Sequence, residues 1–227
     1  MKISQYFSAS LLSVALSVTL NFPAIAEQHV ASTTVTNNST KQALMTKLAS
    51  VDYFSASFKQ NINSVDGELL QTGVGKISIS KPSLVYWETT EPDETLIVSD
   101  GLTLWFYDPF IEQATAYSLD AAIQNTPILL LTNNDEALWQ QYDVSELKDA
   151  KGDIIKERYL VKSRQENSQV KTLTLTFNGK ALSRFSFEDA TGQISEIILS
   201  DYDMSTKPKA NLFTFTLPEG VRLEDKR

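Results

Sequence analysis

Apolar and polar side chains alternate along most of this chain, with the two-residue period of β-strands. Phe54, Ala56, Phe58 and Ile62 fall on one face of a first strand, with Ser55, Ser57 and Lys59 on the other. Val74 to Ser80 alternates again, with Gly73 and Gly75 where a barrel strand can bend. Lys81-Pro82 interrupts the pattern and Leu84 to Glu88 resumes it. Leu96 to Val98 and Leu102 to Tyr107 flank Ser99-Asp100-Gly101, a tight hairpin turn, and Gln113 to Ser118 returns after the turn at Asp108-Pro109. Leu173, Leu175 and Phe177 run into Asn178-Gly179, a strong hairpin signal, with Phe185 and Phe187 on the partner strand. Ile194 to Ser200 follows Thr191-Gly192, and Phe213 to Leu217 is expected as the last strand. Short strands joined by turns, without a βαβ rhythm, predict a mainly β protein built as an antiparallel barrel or sandwich.

Two stretches depart from this period. Ser39 or Thr40 is placed to cap a short helix carrying Leu44, Met45 and Leu48. Between Ser118 and Trp139 the chain predicts three short helices, over Leu119 to Ile123, Pro127 to Leu131 and Asp135 to Leu138. Thr126 suits a cap and Pro127 a first helical position. Ile128-Leu129-Leu130-Leu131 is apolar all round and one turn long, so it must lie against apolar surface on more than one side. A helical insert of this kind is suited to plug or cover a barrel mouth.

The beginning of the chain has a different character. Lys2 precedes the apolar run Leu11 to Leu20, and Ala24-Ile25-Ala26 has the small-x-small form of a signal-peptidase site. The run is roughly ten residues, half of the ~20 that span a bilayer, so residues 1–26 are expected to be a cleaved secretory leader rather than an anchor. Residues 27–40, rich in Gln, Ser, Thr and Asn, are expected as a flexible arm, and 41–227 as a single domain of an exported, soluble protein.

Composition narrows the chemistry. The 227 residues contain no cysteine, one histidine and a formal charge of −8. Thiol catalysis, cysteine metal sites, disulfides and a cysteine-linked lipid anchor are excluded. The single imidazole, His29, lies in the arm and is read as a solvated bystander, so neither a metal site nor a cofactor is expected. The acidic balance argues against nucleic acid, which requires clustered Lys and Arg. Ser145-Glu146-Leu147-Lys148 has the Ser-x-x-Lys form of penicillin-recognising hydrolases but lacks their other motifs, and it leads into a turn at Asp149 to Gly152. Trp105-Phe106-Tyr107 places aromatics on both faces of one strand. Periodicity leaves open whether the inward set fills a core or lines a cavity, because both alternate identically.

Longer motifs extend the reading. Trp87-x4-Pro92-Asp93-Glu94-x3-Val98-Ser99-Asp100-Gly101 runs into Leu104-Trp105-Phe106-Tyr107-Asp108-Pro109-Phe110-x-Glu112-Gln113-Ala114-Thr115-Ala116, followed by Asn125-Thr126-Pro127 and Trp139-Gln140-Gln141-Tyr142. This resembles the periplasmic outer-membrane lipoprotein carriers of Gram-negative bacteria, the LolA family. Phe54-x-Ala56-Ser57-Phe58-x-Gln60 and Phe213-x-Phe215-x-x-Pro218-x-Gly220-Val221 extend the likeness over almost the whole domain.

The resemblance implies an unclosed antiparallel β-barrel, a half-pipe, with an α-helical lid over an apolar cavity. It also implies a function without catalysis: accepting triacylated lipoproteins from an inner-membrane ABC transporter and delivering them to an outer-membrane receptor of similar fold. Such a receptor carries its own lipid on a cysteine, so this chain reads as the diffusible carrier, a monomer. On that reading Phe54, Phe58, Ile62, Val85, Trp87 and Ile97 line the cavity, and Leu48, Ile128 and Leu131 occupy it from the lid until cargo displaces them. Lys81 stands where the family places an Arg that latches the lid to backbone carbonyls. A point charge bridges several carbonyls less readily than a planar guanidinium, so a weaker latch is expected. A carrier of other amphiphiles, and a hydrolase using Ser145 and Lys148, are the competing expectations.

Overall fold

The computed structural model describes residues 38–123, 126–148 and 154–227. The expected leader, the arm up to residue 37 and the turn at Asp149 to Gly152 lie outside the described residues. Helix α1, Asn38–Ala49, begins ahead of the expected caps, so the last three residues assigned to the arm are helical. Leu44, Met45 and Leu48 share its buried face.

Twelve strands follow: β1 Tyr53–Asn63, β2 Leu69–Ser80, β3 Leu84–Glu91, β4 Thr95–Asp100, β5 Thr103–Asp108, β6 Gln113–Ser118, β7 Tyr142–Lys148, β8 Ile154–Ser163, β9 Val170–Asn178, β10 Ala181–Asp189, β11 Ile194–Asp203 and β12 Arg222–Lys226. Between β6 and β7 lie α2 Leu119–Ile123, α3 Pro127–Leu130 and α4 Glu136–Trp139, close to the three expected helices. Thr126 caps α3 by position, but its hydroxyl makes no capping bond, whereas Asp135 caps α4 by accepting from the Ala137 N–H. The Ser145 to Lys148 tetrad forms the end of strand β7.

The strands form a single sheet in the order β12-β6-β5-β4-β3-β2-β1-β11-β10-β9-β8-β7, with β12 and β7 left as its two edges, so the barrel is unclosed. Neighbours are antiparallel apart from β12, which lies parallel to β6. The hairpin signals correspond to real turns. Gly101 and Gly179 sit at φ 92° and 63°, where glycine is the residue of least cost. Asp100 Oδ1 closes the first of these turns by accepting from the Leu102 and Thr103 N–H groups.

The last strand differs from expectation. Ala210–Phe213 is a 3-10 turn, Thr214 to Pro218 is irregular, and the terminal strand is β12, an exposed edge strand. The alternation at Phe213 and Phe215 serves another purpose: the segment lies on the outer face of β3–β5, with Phe213 buried and Phe215 stacked on Trp105 at 5.1 Å between ring centroids. The aromatic triplet is therefore divided. Trp105 and Tyr107 lie under Phe215 on the outside, while Phe106 points inward, edge-on to Tyr117. Both faces of this part of the sheet are covered, the inner one by helices and the outer one by the C-terminal segment.

Candidate lipid-binding cavity beneath the helices

Strand parity brings the inward side chains together. Phe54 lies opposite Ile79, Ile79 opposite Val85, Ile77 opposite Trp87, and Trp87 opposite Ile97. On the other side of β1, Ile197 pairs with Phe185 and Phe185 with Leu175. These residues form one apolar cluster with Leu44, Met45 and Leu48 of α1, with Ile128 to Leu131, and with Leu138 and Trp139 of α4. Aromatic contacts tie the two halves of the sheet across the middle: Phe58 tilts against Trp87 at 4.7 Å and Trp87 meets Phe185 edge-on at 5.9 Å.

Of the cavity residues expected from the sequence, Phe54, Phe58, Val85 and Trp87 lie in this cluster and Ile97 packs against it. Ile62 does not belong with them. It shares their strand and parity, but it is only half-buried near the end of β1, facing Gln71 and Ser195 across the ladder. With polar residues on both neighbouring strands, the inward face is no longer apolar at that end of β1. The expected lid residues Leu48, Ile128 and Leu131 are all buried in the cluster.

The space between the helices and the sheet is not fully packed. At the edge of α3 a recess of about 380 Å³ opens between Trp87, Ile97, Phe106, Ile128, Phe185 and Phe187, with Gln60 and Asp189 among its polar lining. A second hollow of about 290 Å³ shares Thr95, Ile97 and Phe106 with it and extends along β4–β6 toward Ile111. Phe106, Phe185 and Phe187 were visible in the sequence as alternating strand residues. Pattern alone did not show that they meet across the sheet.

Lys81 follows β2 and donates from its ammonium to the backbone carbonyl of Leu48 in the last turn of α1. Burial pushes its pKa down, with Asp52 opposing. Two further lysines hold the same helix. Lys41 donates to the Trp139 carbonyl at the end of α4 (3.0 Å), and Lys47 donates to Glu157 Oε1 (2.8 Å) and the Gly179 carbonyl (2.7 Å). Nothing local in the sequence marks Lys41, Lys47 or Glu157, since each bond joins residues about a hundred positions apart. Behind this helix Tyr202 stacks on Phe54 at 4.6 Å, and burial raises its hydroxyl pKa to about 12.

The family model for the outer membrane lipoprotein carrier protein LolA matches residues 49–216. The outer-membrane lipoprotein carrier protein of Aeromonas salmonicida is 40% identical over 186 residues, spanning 82% of this chain and 88% of its own. That of Vibrio cholerae is 39% identical over 188 residues, 82% of this chain and 90% of its own. Among solved structures, a LolA superfamily protein from Nitrosomonas europaea aligns with 78% of this chain and 98% of its own at 15% identity and a TM-score of 0.46.

Proposed function

This chain belongs to the LolA family of outer-membrane lipoprotein carriers, and from that membership and the geometry of its core we propose how it works. It is a non-enzymatic periplasmic carrier, exported by a leader cleaved after Ala26. It takes triacylated lipoproteins from an inner-membrane ABC transporter, shields their acyl chains beneath the helices, and delivers them to an outer-membrane receptor of similar fold. The observation that carries this reading is the apolar inner face: it spans both halves of an open sheet, is covered by short helices, and still leaves a recess between Trp87, Phe185 and Ile128.

The energetics favour incomplete capture. Each buried CH₂ gains about 0.8 kcal/mol, so enclosing three chains of roughly 16 carbons would gain tens of kcal/mol. Affinities saturate near 18–21 kcal/mol, and a carrier that gripped so completely could not release. The closed cover is the competing ligand. Ile128 and Leu131 bury against the walls that Phe54, Phe58, Val85, Trp87 and Ile97 present to acyl chains, so each methylene of cargo replaces a side-chain contact. Leu48 covers the same space from α1, held in place through its carbonyl by Lys81.

Purification from the native periplasm followed by mass spectrometry of the co-purifying material tests this function. Recovery of N-acylated lipoproteins is expected. Recovery of free lipids or unacylated clients alone would assign the cavity to another amphiphile.

A further inference from the structure

The helices over the cavity are attached in two different ways. α3 and its flanks are held by apolar contacts: Ile128, Leu129, Leu130 and Leu131 are all buried in the core. Among the described residues, the hydrogen bond that links residues 119–131 to the strand region is the one from the Leu119 N–H, at the first residue of α2, to the Leu102 carbonyl in the turn between β4 and β5. α1 buries Leu44, Met45 and Leu48 in the same core and is in addition attached by cations at three points to three separate parts of the fold: Lys41 to α4, Lys47 to β8 and the β9–β10 turn, and Lys81 from the end of β2. In the sheet β2 and β9 are separated by β1, β11 and β10, so α1 bridges the two sides of the half-pipe.

The central attachment is a built site. Glu157 adopts φ 58°, a left-handed conformation that a side-chain-bearing residue keeps only when its surroundings impose it. In that conformation its carboxylate accepts from Lys47 Nζ through one oxygen and from the Gly179 N–H (3.0 Å) through the other. The Lys47 ammonium also lies over the Phe177 ring, 5.1 Å from its centroid. Gly179, itself at φ 63°, therefore offers both its N–H and its carbonyl to this cluster.

Acyl chains can replace these two kinds of contact unequally. A methylene substitutes for an isoleucine or leucine side chain with little loss, because burial is non-directional. It offers nothing to an ammonium or a carboxylate, so cargo makes no contact that compensates for breaking those bonds. We infer that α1 is a fixed strap, anchored by the Lys47–Glu157–Gly179 cluster, and that cargo displaces α2 and α3, hinged near Leu119, while α1 with its Leu48 stays docked. On this assignment, which rests on the carrier reading, Lys81 is one anchor of the strap rather than a latch that must open.

Hydrogen–deuterium exchange with mass-spectrometric readout on the purified protein, with and without a synthetic tripalmitoylated cysteinyl peptide, tests the inference. Exchange is expected to rise across 119–131 on loading and to stay unchanged across 38–49. Equal loss of protection in both segments would overturn the strap. In Lys47→Met and Glu157→Gln, α1 of the loaded protein is expected to exchange about two- to fivefold faster, as for loss of a partly exposed ion pair. Lys47→Arg, which keeps donors for the Glu157 carboxylate and the Gly179 carbonyl, is expected to restore protection. Unchanged α1 exchange in the first two variants would also overturn the inference. Binding of the peptide is followed separately by a fluorescent label. Failure of the wild-type protein to bind it would remove the carrier reading and the strap with it, whereas binding accompanied by release of α1 removes the strap alone.

Discussion

The ring of Phe58 lies over Gly75, directly across the β1–β2 ladder, in the space a side chain there would occupy. A Cβ on Gly75 would come within 2.6 Å of Phe58 Cζ and 2.0 Å of the Glu88 carbonyl. The glycine is what allows Phe58 to lie down against Trp87 at the centre of the core. Gly75→Ala is therefore expected to destabilise the protein by at least about 1–3 kcal/mol, through overpacking and disturbed β2–β3 pairing. Urea unfolding would show it as a lower midpoint at an unchanged slope.

Leu131 and Leu175 are both fully buried in the same cluster, one at the end of α3 and the other on β9. Each substitution to Ala is expected to cost about 2–5 kcal/mol of local packing, but against different equilibria. Leu175→Ala should lower the melting temperature without accelerating uptake of a labelled triacylated peptide. Leu131→Ala should favour the open cover, so uptake becomes faster while the sheet is less affected. Identical uptake rates in the two variants would argue that α3 is not the moving part.

Phe213 is buried on the side of the sheet away from the cavity. Phe213→Ala is expected to cost roughly 3–5 kcal/mol of stability. The affinity of the fraction that remains folded for acylated peptide should be close to wild type. A thermal melt paired with binding at low temperature separates the two effects.

Tyr202 links stability to alkaline pH. Burial lifts its hydroxyl from the ordinary value of 10.0 to about 12, so the folded state holds the proton more tightly than the unfolded chain. Its contribution is complete below pH 10 and declines as pH rises from there toward 12. Tyr202→Phe removes the ionisable group while keeping the ring on Phe54, and should therefore lose less stability than wild type between pH 9 and 11. Denaturant midpoints across that range provide the check, and parallel curves would exclude the linkage.

Much of this architecture was legible in the sequence because strand period is a local property. The alternation of Phe54, Ala56 and Phe58 named a buried face, and Asp100-Gly101 and Asn178-Gly179 named their turns. β7 and β8 are not marked by period alone: Tyr142 and Val144 alternate, but the charged residues around them obscure the pattern. Parity also misled at its limits. Ile62 and Phe213 obey the same period as true core strand residues, yet one lies half-buried between polar neighbours and the other packs on the outer face.

What the chain determined by itself was which side chains share a face, where the backbone turns, and, through the lack of cysteine and a histidine outside the arm, which chemistries are closed to it. The tertiary structure decided what covers each face. It placed Phe215 rather than a helix over Trp105, left a recess beside Phe185 and Phe187, and aimed Lys41, Lys47 and Lys81 at carbonyl groups on three separate elements. The reason is physical: periodicity comes from backbone geometry within a few residues, whereas cover and anchorage are contacts between residues about thirty to more than a hundred positions apart, formed only once the sheet has curled.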